Sequence, residues 1–145
     1  MSGIFINNDA SGWFESGMVK DVTISKNRFY HCGEPIISIH PENTVNGNTA
    51  VHSNIKVRGN YFWLHSARLL EAKSTSHIKI TGNTVYNAAS IDSVLKFVDC
   101  SDVSVSGNIL RQKNQNIIAR SYQLRAMMSN DSYISRIIVV ASKLY

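Results

Sequence analysis

Two stretches of the sequence gather side chains suited to acid–base chemistry. The first, Asn7-Asn-Asp-Ala-Ser-Gly-Trp-Phe-Glu-Ser-Gly17, carries Asp9 and Glu15 beside Trp13 and Phe14. The second, running from His40 to His52, opens with His40-Pro-Glu-Asn43 and so offers His40 and Glu42. A shorter run, Glu71-Ala-Lys-Ser74, adds Glu71 and Lys73. Cleaving a glycosidic bond requires one carboxyl group to protonate the leaving oxygen and a second to activate water or attack directly. A sugar site adds an apolar or aromatic wall and a few placed polar groups. Asp9 as the catalytic carboxylate, with Trp13, Glu15, His40, Glu42, Glu71 and Lys73 lining a substrate pocket, supplies those residue types.

Each member also has a plainer role. Asp9 serves equally as a turn cap through its side-chain oxygens. Glu15 and Glu42 are accounted for as solvated loop carboxylates, and Trp13 as a lid over the core. His40, just before Pro41 at a strand end, suits a structural hydrogen bond. Glu71 and Lys73 share one side of a strand, so an inward-facing ion pair or a solvated pair explains both. His52, His65 and His77 show no ligand spacing with cysteines or carboxylates, so no metal and no other cofactor is expected. His31 beside Cys32 lacks an orienting third group for nucleophilic chemistry.

What must hold these residues in place is a repeat. Four segments align without gaps: Asp21-Val-Thr-Ile-Ser-Lys-Asn-Arg-Phe29, Asn54-Ile-Lys-Val-Arg-Gly-Asn-Tyr-Phe62, His77-Ile-Lys-Ile-Thr-Gly-Asn-Thr-Val85 and Asp102-Val-Ser-Val-Ser-Gly-Asn-Ile-Leu110. Their starts are 33, 23 and 25 residues apart. The last two intervals fit one solenoid coil, and the first fits a coil carrying an insertion. Alternation of period two puts Val22/Ile24, Ile55/Val57, Ile78/Ile80 and Val103/Val105 on one side, which is the core. Asn27, Asn60, Asn83 and Asn108 recur at one position. Asparagine and glycine accept left-handed backbone at a corner, and stacked amides can bond from coil to coil, so this column is read as structural.

A second strand precedes each segment: Gly3–Ile6, Pro35–Ile39, Leu69–Ala72 and Val94–Val98. The pattern predicts an all-β chain, a right-handed parallel β-helix of about four coils over residues 1–112. Residues 113–145 are expected to form an irregular or partly helical C-terminal cap of the same domain, with a last β element over 134–144. A stack opening at residue 3 would expose an unpaired strand edge and a cross-section of core, so further coils or an oligomeric contact through that open end is expected.

Composition excludes several classes. At 145 residues and 43% hydrophobic the chain can bury a core, so disorder is not the default. Its 15 Lys and Arg against 10 Asp and Glu are scattered rather than forming a basic stripe interleaved with aromatics, which argues against nucleic-acid binding. Cys32 and Cys100 belong to no disulfide framework or CxxC motif. No apolar run reaches the ~20 residues that cross a bilayer, so no membrane partner is expected.

The loop motifs carry a resemblance. Asn8-Asp-Ala-Ser-Gly-Trp-Phe-Glu-Ser-Gly17, Val22-Thr-Ile-Ser-Lys-Asn27, Cys32-Gly33, Ile36-Ile-Ser-Ile-His-Pro-Glu-Asn43 and Leu69-Leu-Glu-Ala-Lys-Ser74 resemble glycoside hydrolase family 110, over residues 3 to about 110. These are β-helical, exo-acting α-1,3-galactosidases that release terminal galactose with inversion. The resemblance implies a galactose-containing glycan as partner, a secreted or periplasmic setting, Asp9 as a catalytic or substrate-binding carboxylate, and Glu15, His40, Glu42 and Lys73 around the sugar. One departure stands out: the family pattern has paired acids where this chain has Asn8 before Asp9. Non-catalytic glycan recognition and a purely structural β-helix are the competing functions. Polysaccharide lyase chemistry is disfavoured because clustered Asp residues are lacking.

Overall fold

The computed structural model describes residues 1–8, 17–42, 50–88, 94–112, 115–118, 122–124 and 132–134. Each coil carries three short strands. The first holds β1 (Ile4–Ile6), β2 (Lys20–Ser25) and β3 (Arg28–Tyr30), and the second β4 (Ile37–Ile39), β5 (His52–Arg58) and β6 (Tyr61–Leu64). The third holds β7 (Leu70–Lys73), β8 (Thr75–Thr81) and β9 (Thr84–Asn87), and the fourth β10 (Leu95–Val98), β11 (Ser101–Ser106) and β12 (Ile109–Gln112). Equivalent strands stack in parallel into three sheets, β1-β4-β7-β10, β2-β5-β8-β11 and β3-β6-β9-β12. The chain is a right-handed parallel β-helix of four coils, all-β as the repeat predicts.

Three further strands follow, β13 (Gln115–Ile118), β14 (Tyr122–Leu124) and β15 (Ser132–Ile134). They run antiparallel along β12, β11 and β10 respectively. Where residues 113–145 are described they are therefore strand, not helix. The last β element expected over 134–144 lies outside the described residues except at Ile134.

The alternating pattern positions the core as expected. Ile55, Val57, Ile78, Ile80, Val103 and Val105 are buried in the second sheet, and they meet Ile37, Leu70 and Leu95 and the column Ile39, Ala72 and Phe97 from the first. The third sheet contributes Phe62, Val85 and Leu110. Fully burying one such side chain contributes about 1.5–3 kcal/mol, so one column of four outweighs any single polar contact in the fold. Sequence reading missed this third sheet. Its strands lie directly behind the asparagine corner, so the Phe29, Phe62, Val85 and Leu110 that close each repeat belong to a new strand.

That corner is held by a continuous ladder. The Asn27, Asn60 and Asn83 backbone N–H groups each donate to the side-chain oxygen of the next coil's asparagine, at 2.9 Å in all three steps. The Asn60 and Asn83 amide nitrogens also donate back to Ile24 and Val57 carbonyls on the previous coil. The residue just before the asparagine takes φ near +60° in every coil, at Lys26, Gly59, Gly82 and Gly107. Glycine at three of the four avoids the Cβ clash of that conformation.

Two buried groups are inert by environment. Cys100 is buried and its thiol is pushed up to about 11, chiefly by desolvation, which leaves it protonated at neutral pH. His52 is fully buried; its Nδ1 accepts the Val19 N–H at 3.0 Å, and Nε2 finds no partner among the described residues. Burial lowers its pKa.

Two stability outcomes follow. Asn83→Ala removes the acceptor of two Asn60 donors in a buried site and is expected to cost about 3 kcal/mol in urea unfolding, whereas Asn27→Ala at the exposed end costs about 1 kcal/mol. Equal losses would mean the ladder is not what holds the corner. For His52, the folded pKa lies below the unfolded value of about 6.5. Above that value the ring is neutral in both states. As pH falls through it, the unfolded chain takes up a proton that the folded chain resists, so stability declines until the folded pKa is reached. His52→Gln should flatten the part of the stability profile below pH ~6.5, and an unchanged slope would assign that slope to other groups.

Candidate functional site

The outer face of the first sheet is where the candidate side chains meet. Parallel register aligns Phe5, Ser38, Glu71 and Lys96 in one outward row. Asn7, His40 and Lys73 lie two residues further along their strands, on the same side. Pairing continues beyond β1 and β4, since the His40 N–H donates to the Ile6 carbonyl at 3.0 Å and the Glu42 N–H to the Asn8 carbonyl at 3.4 Å. The two long loops thus leave the sheet at neighbouring points on successive coils. In the third coil Ser74 alone, at φ 46°, turns the chain from β7 into β8. The loops are insertions at a corner that the fold can otherwise close with one residue.

Glu71 is the centre of this face. Its Oε1 lies 3.4 Å from His40 Nε2 and 3.4 Å from Lys96 Nζ, and its Oε2 lies 3.7 Å from Arg68 Nη1. The Glu71 and Lys96 side chains are about one-fifth exposed and that of His40 is 42% exposed. This is a partly wet cluster whose contribution to stability is small, on the order of 1 kcal/mol or less for each exposed pair. Its effect is orientational. One carboxylate is held between groups on three coils. Lys73 makes no ion pair among the described residues, so the expected Glu71–Lys73 pair is replaced by Glu71 with Lys96, Arg68 and His40.

Glu42 is exposed at the start of its loop, where its Oε1 accepts from Asn7 Nδ2 at 3.1 Å. Asn8 is buried, and its side-chain oxygen has no partner among the described residues. Of the predicted set, His40 and Glu71 are in contact, Glu42 joins the first coil through Asn7 and Asn8, and Lys73 shares the face. Asp9, Trp13 and Glu15 lie outside the described residues.

Arg68 and Lys96 were not singled out from sequence. Lys96 was legible in principle, because aligning the strands preceding each repeat places it beside Glu71 and Ser38. Arg68 precedes its strand and carries no such signal.

No family model matches the chain. Curated relatives do. It is 39% identical over 114 residues to an alpha-1,3-galactosidase A of Bacteroides thetaiotaomicron, covering 74% of this chain and 20% of the relative. It is 39% identical to an alpha-1,3-galactosidase A of Bacteroides fragilis, over 65% of this chain and 17% of that protein. An alpha-1,3-galactosidase B of Bacteroides thetaiotaomicron matches at 30% identity over 93% of this chain and 24% of its own length. The chain spans about a fifth of the length of these relatives. Across that span, the sequence and the parallel β-helix together show that this chain resembles the α-1,3-galactosidases of glycoside hydrolase family 110.

Proposed function

We propose that this chain supplies the galactose-facing part of an inverting exo-α-galactosidase, acting on terminal galactose of a glycan. The observation that carries the reading is Glu71, fixed on the outer face of the first sheet beside His40 and at the foot of the two loops whose motifs resemble the galactosidases. In this reading Asp9 is the catalytic carboxylate. It follows Asn8, whose carbonyl is bonded to the Glu42 backbone, so the loop acids of the first two coils start from one point. Inversion requires a second carboxyl group roughly 6.5–9.5 Å from the first, to leave room for the attacking water. Glu71 and Glu42 hold sugar hydroxyls as acceptors and His40 and Lys73 as donors, while Trp13 and Glu15 complete the wall. A hexose presents hydroxyls at fixed angles, and a carboxylate held from three sides discriminates between epimers better than a mobile one.

A second reading has one observation in its favour. Asn8 occupies a buried position where the family pattern has an acid, and an amide there cannot transfer a proton. Under that reading the same face holds galactose without cleaving it.

The chain's association state belongs to this proposal too. Among the described strands β1, β2 and β3 form one edge of each of the three sheets, where a second copy would pair. Light scattering is expected to show association of the chain at micromolar concentration; a monodisperse monomer would remove the second copy.

Calorimetric titration with galactose and hydrolysis of a nitrophenyl α-galactoside separate the two functional readings. Galactose binding is expected to weaken about tenfold in Glu71→Gln, one lost hydrogen bond to a charged group. Hydrolysis is expected to fall at least about a hundredfold in Asp9→Asn. Binding with no hydrolysis supports the non-catalytic reading; galactose binding that ignores Glu71→Gln overturns the site itself.

A further inference from the structure

The third sheet carries a second surface, on different strands from the chemistry considered so far. Its outward rows are set by register: Arg28, Tyr61, Thr84 and Ile109 in one, and Tyr30, Trp63, Tyr86 and Arg111 in the other. Three aromatic rings therefore stand on three successive coils. Tyr30 and Trp63 ring centres are 6.4 Å apart and tilted by 33°, and those of Trp63 and Tyr86 are 4.4 Å apart and tilted by 47°. Tyr61 leans towards Tyr30 at 5.8 Å.

Inside the same sheet, Phe29 and Phe62 stack at 4.9 Å with only 7° between planes, and Phe62 is fully buried. The inner pair satisfies its ring faces against each other. The outer rings do not. They are tilted against one another rather than stacked flat, Tyr30 is 49% exposed, and Tyr61, Trp63 and Tyr86 are half-buried.

The charged side chains on the described strands of this ladder have one sign. Arg28 and Arg111 are exposed at opposite corners of the two rows, and the His31 and His65 rings meet edge to face at 5.4 Å just beyond Tyr30 and Leu64. The strands of this sheet contain no Asp or Glu. One aromatic ring stands on each of three coils, with strands about 4.8 Å apart and ring centres 6.4 and 4.4 Å apart. Sugar rings present C–H faces that pack on aromatic rings and equatorial groups that need donors at the flanks.

The geometry points to a second glycan-binding site on the third sheet, in which Tyr30, Trp63 and Tyr86 form the stacking platform and Arg28 and Arg111 bind acidic substituents of the chain. The occupant is a sulfated or otherwise acidic galactan. That it contains galactose rests on the proposed function above; that it is acidic rests on strands that carry Arg28 and Arg111 and no Asp or Glu. The site lies on a different sheet from Glu71, so it holds a glycan along the β-helix rather than at the reacting bond.

Affinity electrophoresis of the whole chain in gels containing κ-carrageenan tests this. The sulfated galactan is expected to retard the protein, and neutral arabinogalactan to retard it less. The double substitution Trp63→Thr/Tyr86→Thr leaves every charge in place and keeps β-branched residues in the strands; it is expected to weaken retardation about tenfold. Lys79→Gln, on the outer face of β8, removes a charge elsewhere and is expected to change little. Retention surviving the aromatic substitutions, or lost equally in Lys79→Gln, would show simple attraction to a basic protein and overturn the site. Equal or stronger retardation by arabinogalactan would overturn the acidic assignment. A single-stranded oligothymidylate held more tightly through the same rings would overturn the glycan in favour of nucleic acid. Should the double variant unfold, Tyr30→Thr at the exposed rung gives the same reading. Galactoside hydrolysis reports on the first sheet, so carrageenan binding without hydrolysis, or the reverse, tells the two sites apart.

Discussion

Every surface on this molecule depends on the vertical register between coils. Parallel strands repeat their hydrogen bonds at each residue, so backbone pairing alone permits slippage. Two terms prevent it. Slipping β5 by one residue would turn Ile55 and Val57 outward together, and the same holds for Ile78 and Ile80 on β8 and Val103 and Val105 on β11. The asparagine ladder adds a condition at the corner, because each side-chain oxygen must receive both the N–H and the amide of the asparagine one coil before it. Asn60, Asn83 and Asn108 are buried, so a misplaced step leaves polar groups unsatisfied at about 1–3 kcal/mol each. The apolar columns supply the bulk of the stability and the ladder supplies its uniqueness.

Once register is fixed, columns in the sequence become patches in space. Glu71 meets His40 from one coil and Lys96 from another although the three are far apart along the chain. Two of its contacts come from positions related by the coil repeat, Lys96 directly beside it in the row and His40 one step diagonal. The cluster adds little to folding, since its members are partly solvated. Its consequence is that one carboxylate loses rotational freedom before any ligand arrives, which lowers the ordering cost of binding.

The same reasoning marks what could be read from the sequence. Period-two alternation and a recurring Asn are local signals, and they yielded the coils, the core columns and the ladder. The third sheet was hidden because the Asn corner lies only one residue before it, so its strands looked like the tails of the second sheet. The mixed composition after Arg111 suggested a cap with helix in it, but Gln115–Ile118 returns as a strand along Ile109–Gln112, where the open edge of the third sheet offers unpaired donors and acceptors that outweigh weak local propensity. Candidate residues were chosen by type in the loops and at the equivalent strand end; of these the fold brings His40 and Glu71 together, with Arg68 and Lys96, which were overlooked. Cations in ordinary strand or corner positions carry no motif; only the fold assigns them a neighbour.

A parallel β-helix also separates the evolution of chemistry from that of stability. The corner after β7 needs only Ser74, yet at the same corner the first two coils carry long insertions, with the strands before and after them still in register. Loop length therefore costs the stack little, because closing entropy grows slowly with length while pairing on either side is unchanged. Asp9, Glu15 and Glu42 sit in those insertions, whereas Lys73 and Lys96 sit in strands and Arg68 at a strand entry. Under the proposed function the loop acids thus belong to segments whose length can change without disturbing the pairing, and the cations to strand and corner positions that the pairing fixes. Altering the loops would leave the floor of the first sheet, where Glu71 meets His40, Arg68 and Lys96, with one charge pattern.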